Sequence, residues 1–413
     1  MSPLVNAPVS HPRPATIRSV AAIGDAGDPN SWSGIPYHFW QAGRRAGFLA
    51  EPIRLRLDEL IWQRRFWALG RVMLGRRPSG FQYTPACLGR LERQIPKNLL
   101  SSEVISFNQH FPRAATVRAA GGRISYYIDA TFAALSSGRG LQLDIADDIV
   151  AEARELEREN LRLADRVVAM ARWAADSLIN ECGVPPEKVS VVLPGANLEL
   201  PTDWSPPARP NGRIGKERTF VLGFVGKDWE RKGLPLLCDV RDELARRGWN
   251  VVVRAAGDAP AAMRDRPGIE FVGFIDKRNG TNAFVDFLAY SDFGCLFSQR
   301  EALGISTLEF LRVGVPVAGF AVEGPADTLP PDAGLRFSTV DTVETITDAF
   351  DTLLRDPDSY AVLVSNARKY SRLVTWDRCV EELQSLWNCG AIDHSLRLWA
   401  SPTGLTSVPC TRL

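Results

Sequence analysis

The stretch Thr219–Gly248, TFVLGFVGKDWERKGLPLLCDVRDELARRG, reads as three things in succession. TFVLGFV is an uninterrupted apolar run, the pattern of a strand covered on both faces. LPLLCDVRDELARRG carries helical period. Between them GKDWERKG (226–233) packs three cations, two acids and a Trp between two glycines. An ordinary strand-to-helix turn needs only a small cap, so this one reads as built around something anionic. Gly226 allows a tight turn away from the strand. Lys227, Arg231 and Lys232 offer compact or forked positive charge that suits phosphate oxygens. Neither GxxxxGK[ST] nor GxGxxG is present. Alone, the loop reads more readily as a charged surface turn, since such loops are common.

The same alternation extends both ways along the chain. Upstream, strands are expected at 17–24, 103–107, 123–128, 166–170 and 188–193, with helices between them, notably 147–163 and 172–182. The proline-rich 200–217 breaks the pattern and reads as a linker. Downstream, strands are expected at 219–225, 249–256, 269–274, 292–297 and 315–320. Alternating strand and helix on each side of a linker implies two Rossmann-like, doubly wound α/β domains facing each other across a cleft. Length agrees, since 413 residues exceed one ordinary core.

Composition narrows the function classes. Apolar residues make up 45% and charged residues 23%, the profile of a soluble globular protein. A net charge of +1 provides no field for nucleic acid. The seven cysteines (87, 182, 238, 295, 379, 389, 410) form no CxxC pair and no zinc spacing, so free thiols in a reducing cytosol are expected. Residues 1–16 are proline-rich, lack an apolar signal core and are expected to be a flexible lead-in. Residues 399–413 are expected to be a flexible tail. DIADD (144–148) reads as a helix start rather than a metal site.

A second segment sharpens the first. SQREALGISTLEFLRVGVPVAGF (298–320) follows the apolar run DFGCLF. Glu301 and Glu309 are eight residues apart, which on a straight helix is a rotation of about 80° and a rise of about 12 Å. They do not form a close acid/base pair. They suit the two ends of an elongated ligand. Between them a helix start is expected near Leu303, Gly304, Ile305 and Ser306, where free amides attract anions. Carboxylate, amide nest, carboxylate matches sugar, pyrophosphate, ribose.

FVGKDWERKG, EALGISTLEFLRVGVPV and ADRVVAMARWAADSLINECGVPPEKVSVVLPGANLE (164–199) together resemble the GT-B glycosyltransferases of family 4, also called group 1. That family carries a Glu-x7-Glu motif, an Arg/Lys pair on the first loop of the C-terminal domain, and PNG before the linker. Here the last reads Pro194-Gly195-Ala196-Asn197, a departure. The resemblance covers 160–325 strongly and the N-terminal third weakly. The family's glycine-rich loop after its first strand is GDAGDPNSWSGIPYHFWQAGRRAGF (24–48) here. Its Gly-Gly pair survives only as Ser33-Gly34. Gly34 would let the backbone approach donor phosphate or acceptor, and a capped structural turn is the other reading.

The resemblance implies a retaining, metal-independent hexosyl transfer, with a nucleotide sugar as substrate and no cofactor. Glu309 would bind the ribose and Glu301 the donor-sugar hydroxyls. Lys227 and Lys232 would neutralise the departing pyrophosphate, with Gly226, Arg231, Leu303, Gly304 and Ile305 completing the donor site. His110, just after the strand EVISF, would face the donor sugar, unless it is a satisfied loop histidine. Asp129 would orient the acceptor, unless it caps the following helix. His38 is a further acceptor candidate. The implied domains are 17–199 (acceptor), a 200–217 linker and 218–374 (donor), with a C-terminal helix over 375–398 crossing back onto the first. A catalytically inactive nucleotide-sugar-binding module, or an epimerase or hydrolase on the same fold, would share much of this pattern. The presence of Glu301, Glu309 and Lys232 argues against the inactive form. Acceptors would be glycans, lipid-linked sugars or small molecules in polysaccharide or glycoconjugate synthesis, and the enzyme would be cytoplasmic.

One segment stands outside this scheme. IRLRLDELIWQRRFWALGRVMLGRRP (53–78) has seven arginines against two acids, with Trp62, Phe66, Trp67, Leu69, Val72, Met73 and Leu74 interleaved. It reads as an amphipathic helix. Either it packs on its own domain with arginines in solvent, or it presents arginines and Trp62 or Trp67 to anionic lipid at the inner face of a membrane.

Overall fold

The computed structural model describes residues 17–137, 145–201, 204–206, 214–279 and 282–389. The expectations for 1–16, 390–413 and half of the linker lie outside these residues. Two parallel sheets organise the rest. The first comprises β1 (Arg18–Ala21), β2 (Glu103–Ser106), β3 (Arg123–Ile128), β4 (Arg166–Ala169) and β5 (Val189–Val191), side by side in that order. Residues 50–55 lie along the far side of β1. The amide of Ala50 donates to Arg18 O, that of Ile53 to Val20 O and that of Leu55 to Gly24 O. The chain after β1 therefore runs to one side and β2 to the other. In such sheets ligands bind beyond the strand ends where the order reverses, which here is the loop 22–34.

The expected helix over 53–78 is shorter than that range. Only Ile61–Met73 is α-helical, preceded by a short turn at Asp58–Leu60. Ile53 and Leu55 are buried beside β1, while Arg54 and Arg56 face solvent. The alternation Ile-Arg-Leu-Arg is a period of two, a strand signal. The helical period begins only beyond it.

The second sheet holds β6 (Phe220–Gly226), β7 (Val251–Gly257), β8 (Ile269–Gly273), β9 (Phe293–Leu296), β10 (Val317–Phe320) and β11 (Gly334–Phe337) in the order β11-β10-β9-β6-β7-β8. All neighbours are parallel. The order reverses at β6, so GKDWERKG occupies the ligand crevice of this sheet. The sequence reading lacked β11, a four-residue edge strand whose first three residues are only partly covered or exposed. It has no apolar run to mark it.

After Thr375 the chain returns to the first domain. The helix Trp376–Cys389 packs on that sheet. Its Trp376 ring lies 5.8 Å from Phe39, Tyr127 Oη is 3.3 Å from Cys379 Sγ, and Trp387 Nε1 donates to Glu103 Oε1 at 2.7 Å. The outgoing and returning chains cross at Gly195, where a Cβ would lie 2.2 Å from Trp376 N. Only glycine permits that approach.

Candidate active site

A cleft of about 400 Å³ opens between the two sheets. The loop after β6 makes one wall. The Lys232 stem folds over Gly226, where an added Cβ would sit 2.6 Å from Lys232 Cδ. Gly233 has φ +80° and faces Phe297 O, which a Cβ would approach to 2.5 Å. Gly233 is thus dictated by its left-handed backbone and the approach of Phe297, while Gly226 leaves room for the Lys232 stem. Arg231 is already engaged: Nε holds Asp228 Oδ2 at 2.7 Å, and one terminal nitrogen reaches Glu301 Oε2 at 3.1 Å and Arg300 O at 2.8 Å. Lys227 lies over the Phe274 ring at 4.9 Å. Among the described residues neither Lys227 nor Lys232 has a carboxylate within ion-pair distance. Their charge remains available to a ligand.

The floor comes from the segment after β9. The eight-residue spacing does not lie on one helix, as the sequence estimate assumed. Glu301 sits in the preceding loop, and the helix runs from Ile305 to Arg312. The Glu301 carboxylate is held by Arg231 and by the Ser298 hydroxyl, and its amide donates to Glu323 Oε2 at 2.8 Å. Gly304 adopts φ +74° and caps the helix, so the first-turn amides face the cleft. Ser306 Oγ is buried there without a hydrogen-bond partner.

Glu309 lies one turn further in and is only 2% exposed. Burial raises its carboxyl above the ordinary range, and the nearby ammonium of Lys277 opposes that shift. Lys277 Nζ contacts Glu309 Oε1 at 2.6 Å, Asn197 O at 3.3 Å and the face of Phe284 at 4.2 Å.

The first domain supplies the opposite wall through the loop 29–35 and Asp129. Trp32 and Ser33 both have left-handed backbones, φ +50° and +58°, a strain that concentrates at ligand sites. Trp32 Nε1 donates to Ile23 O at 2.9 Å, and Asn197 Nδ2 holds Ser33 O at 2.9 Å. Asn30 Nδ2 crosses the cleft to Asp276 Oδ1 at 2.8 Å. Burial, and less strongly the charge of Glu301, push the Asp129 carboxyl up to about 6. Gly34 (φ +92°) is dictated by the turn itself: a Cβ there would meet Pro29 O at 2.7 Å.

Two expected residues are not at the cleft. His110 packs between Tyr83 and Phe132, with Nε2 3.0 Å from Ala153 O, and burial lowers its imidazole to about 4. His38 lies behind the loop against Gly34. Burial, then the charges of Lys277 and Arg45, lower it to about 3. The chain after β2 turns inward onto the helix Asp147–Leu163, which carries His110 away from the donor wall. Conversely, Lys277, Asn197 and Trp32 escaped the sequence reading. Lys277 and Trp32 lie in single 3-10 turns and Asn197 in a loop, and each reaches its partners only through tertiary contact.

Residues 219–356 match the sequence model of the family described as Glycosyl transferases group 1. The chain is 25% identical to the D-inositol 3-phosphate glycosyltransferase of Salinispora tropica over 350 residues, covering 74% of this chain and 72% of that one. It is 27% identical to the Kribbella flavida protein of the same name over 252 residues, 56% and 59% of the two chains. Among solved structures, Anabaena HepE in complex with UDP and glucose superposes with a TM-score of 0.58 at 14% identity, over 90% of this chain and 99% of that one. A glycosyltransferase from Rickettsia africae gives 0.59 at 12% identity, over 90% and 97%. With two doubly wound parallel domains facing a common cleft, the chain has the GT-B fold, and its residues 219–356 are similar to the group 1 glycosyltransferases.

Proposed function

We propose that this glycosyltransferase moves a hexose from a nucleotide-sugar donor, with retention at the anomeric carbon and without a metal ion. The observation that carries the reading is the pair of lysines without carboxylate partners, Lys227 and Lys232, beside the amide-lined start of the Ile305 helix, with Glu301 on one side and Glu309 on the other. A pyrophosphate placed against these amides would have its developing charge met by two ammonium groups and by the unpartnered Ser306 hydroxyl. Glu309 would accept from ribose hydroxyls and Glu301 from the sugar. The anomeric carbon–phosphate oxygen bond breaks while the acceptor oxygen bonds the same face. The acceptor proton passes to the departing phosphate oxygen. Asp129 would hold the acceptor from the opposite wall.

The HepE structure, bound to UDP and glucose, supports a uridine donor, and the relatives' name supports a phosphorylated cyclitol among the acceptors. Glycans and lipid-linked sugars are the other acceptor classes of this reading, with the enzyme in the cytoplasm at the inner face of the membrane and serving glycoconjugate synthesis. The test incubates the protein with UDP-glucose and a panel of acceptors that includes D-inositol 3-phosphate. The coupling constant of the new anomeric proton is read by NMR, with and without EDTA. An inverted product or loss of transfer on chelation would overturn the mechanism. Donor hydrolysis with every acceptor ignored would point to a hydrolase.

A further inference from the structure

The helix Ile61–Met73 holds the domain by one side only. Trp67 packs against Phe81 with ring centroids 5.4 Å apart and joins the cluster of Phe132, Ile145 and Ile149. Arg71 is buried and reaches Asp148 Oδ1 at 2.8 Å. The opposite side is apolar and open. Trp62 is 64% exposed, Phe66 71%, Leu69 57% and Met73 79%. Positions i, i+4, i+7 and i+11 fall on one stripe of a helix. Val72 and Leu74 are exposed beside it. Isolated apolar side chains on a surface are ordinary, but a contiguous stripe marks an interaction site.

We infer that this face embeds in the headgroup layer of an anionic phospholipid bilayer. Charge selects the occupant. Arg65 is exposed at the flank of the stripe and Arg64 on the other side of the helix near its start, about 200° round from Trp62, and among the described residues neither has a carboxylate within ion-pair distance. Arg65 lies over the Trp62 ring at 4.9 Å. Arg76 is exposed just past the helix, 3.6 Å from Asp148. The acids next to the helix start, Asp58 and Glu59, are both engaged by Arg56. A second copy docked on this face by two-fold symmetry would present the same arginine-flanked stripe, with Asp58 and Glu59 again engaged by Arg56. Lipid phosphates pair with the arginines instead, while Trp62 and Phe66 enter the interfacial layer. The helix lies on the bilayer rather than across it, since no helix among the described residues is long and apolar enough to span.

The helix is tied to the segments that lead to the first-domain wall. The strand-like lead into it bonds Gly24 O through Leu55, and Trp67 shares a cluster with Phe132, three residues beyond Asp129. An acceptor carried in the same bilayer is thereby brought beside the first-domain wall of the site. This deepens the membrane-side reading above, but vesicle binding needs no turnover, so the two fail separately.

The test is co-sedimentation of the full chain with phosphatidylcholine vesicles, with and without phosphatidylglycerol. Binding is expected only with the anionic lipid. F66D/M73D should weaken it by about tenfold or more. R64E/R65E should weaken it and remove most of its salt dependence. Both pairs are on the surface, so unchanged circular dichroism and melting temperature verify the fold. The inference falls if the native chain ignores phosphatidylglycerol vesicles, or if F66D/M73D binds them as the native chain does. It also falls if the native chain is a dimer that F66D/M73D dissociates while vesicle binding is absent. Vesicle binding without glycosyl transfer would strike the catalytic reading and leave this one standing.

Discussion

Replacing Lys277 by Met removes the counter-charge from a buried carboxylate. Lys277 and Glu309 meet at 2.6 Å, with side chains 13% and 3% exposed. Breaking such a pair from one side costs about 3–5 kcal/mol, because the remaining charge is buried without compensation. Lys277 keeps some contact with solvent, so we take the lower end, about 3 kcal/mol. For a domain of this size each kcal/mol shifts the midpoint by roughly 2–4 °C, giving a drop of about 6–12 °C. The pH dependence has a definite sign. Burial raises the Glu309 carboxyl above its ordinary value, with Lys277 pulling it back. The folded state therefore holds the proton to higher pH than the unfolded state, and stability falls as pH rises from the ordinary value through the raised one. Lys277→Met raises the folded value further. Its deficit should be smallest at acidic pH, where the carboxyl is protonated, and grow as pH rises through the raised folded value. Calorimetry of the second domain's transition, without ligand, measures both. Lys277→Met/Glu309→Gln, which leaves no buried charge, should recover most of the loss. A single-variant deficit under about 1 kcal/mol, or one that does not grow with pH, would refute the reasoning.

Further tests address the proposed roles. Lys232→Ala should lower turnover by about two to three orders of magnitude, while Glu309→Ala should act mainly on donor affinity, since ribose contacts are alike in ground and transition states; steady-state kinetics separate the two, and near-native transfer in both would misplace the site. Asp129, held near about 6, should give transfer an acid limb that declines as pH falls through that value. Asp129→Asn should abolish that limb, weaken acceptor use and raise the melting temperature at neutral pH, because a buried charge is removed. Arg172 clamps Asp327 of the other domain through its amide at 2.6 Å and its Nε at 2.7 Å. Arg172→Ala should cost about 1 kcal/mol or less yet increase the radius of gyration by small-angle scattering; an unchanged radius would mean that the clamp does not set closure.

By itself the sequence determined the α/β alternation, the break between the halves and the loop at which the second sheet reverses. Short apolar runs such as TFVLGFV and DFGCLF, bounded by turn residues, read as strands covered on both faces, and a long helical period such as that of 147–163 reads as a helix. It also brought Lys227, Lys232, Glu301 and Glu309 to one cleft, because a βα loop and a helix start are local features whose position at the strand ends follows from chain direction. What it left undetermined is whatever depends on a partner far along the chain. Ile53 and Leu55 became an edge along β1 because β1 had a side to cover. His110 and His38 turned inward because aromatic and interdomain packing offered more burial than the cleft. Glu309 acquired Lys277, 32 residues away, and Lys277 acquired Asn197 from the chain crossing at Gly195. The exposed face of the Ile61 helix belongs to the same class. Amphipathic period marks two faces, and only the docking of Trp67 and Arg71 decided which one the domain would cover and which it would leave to solvent.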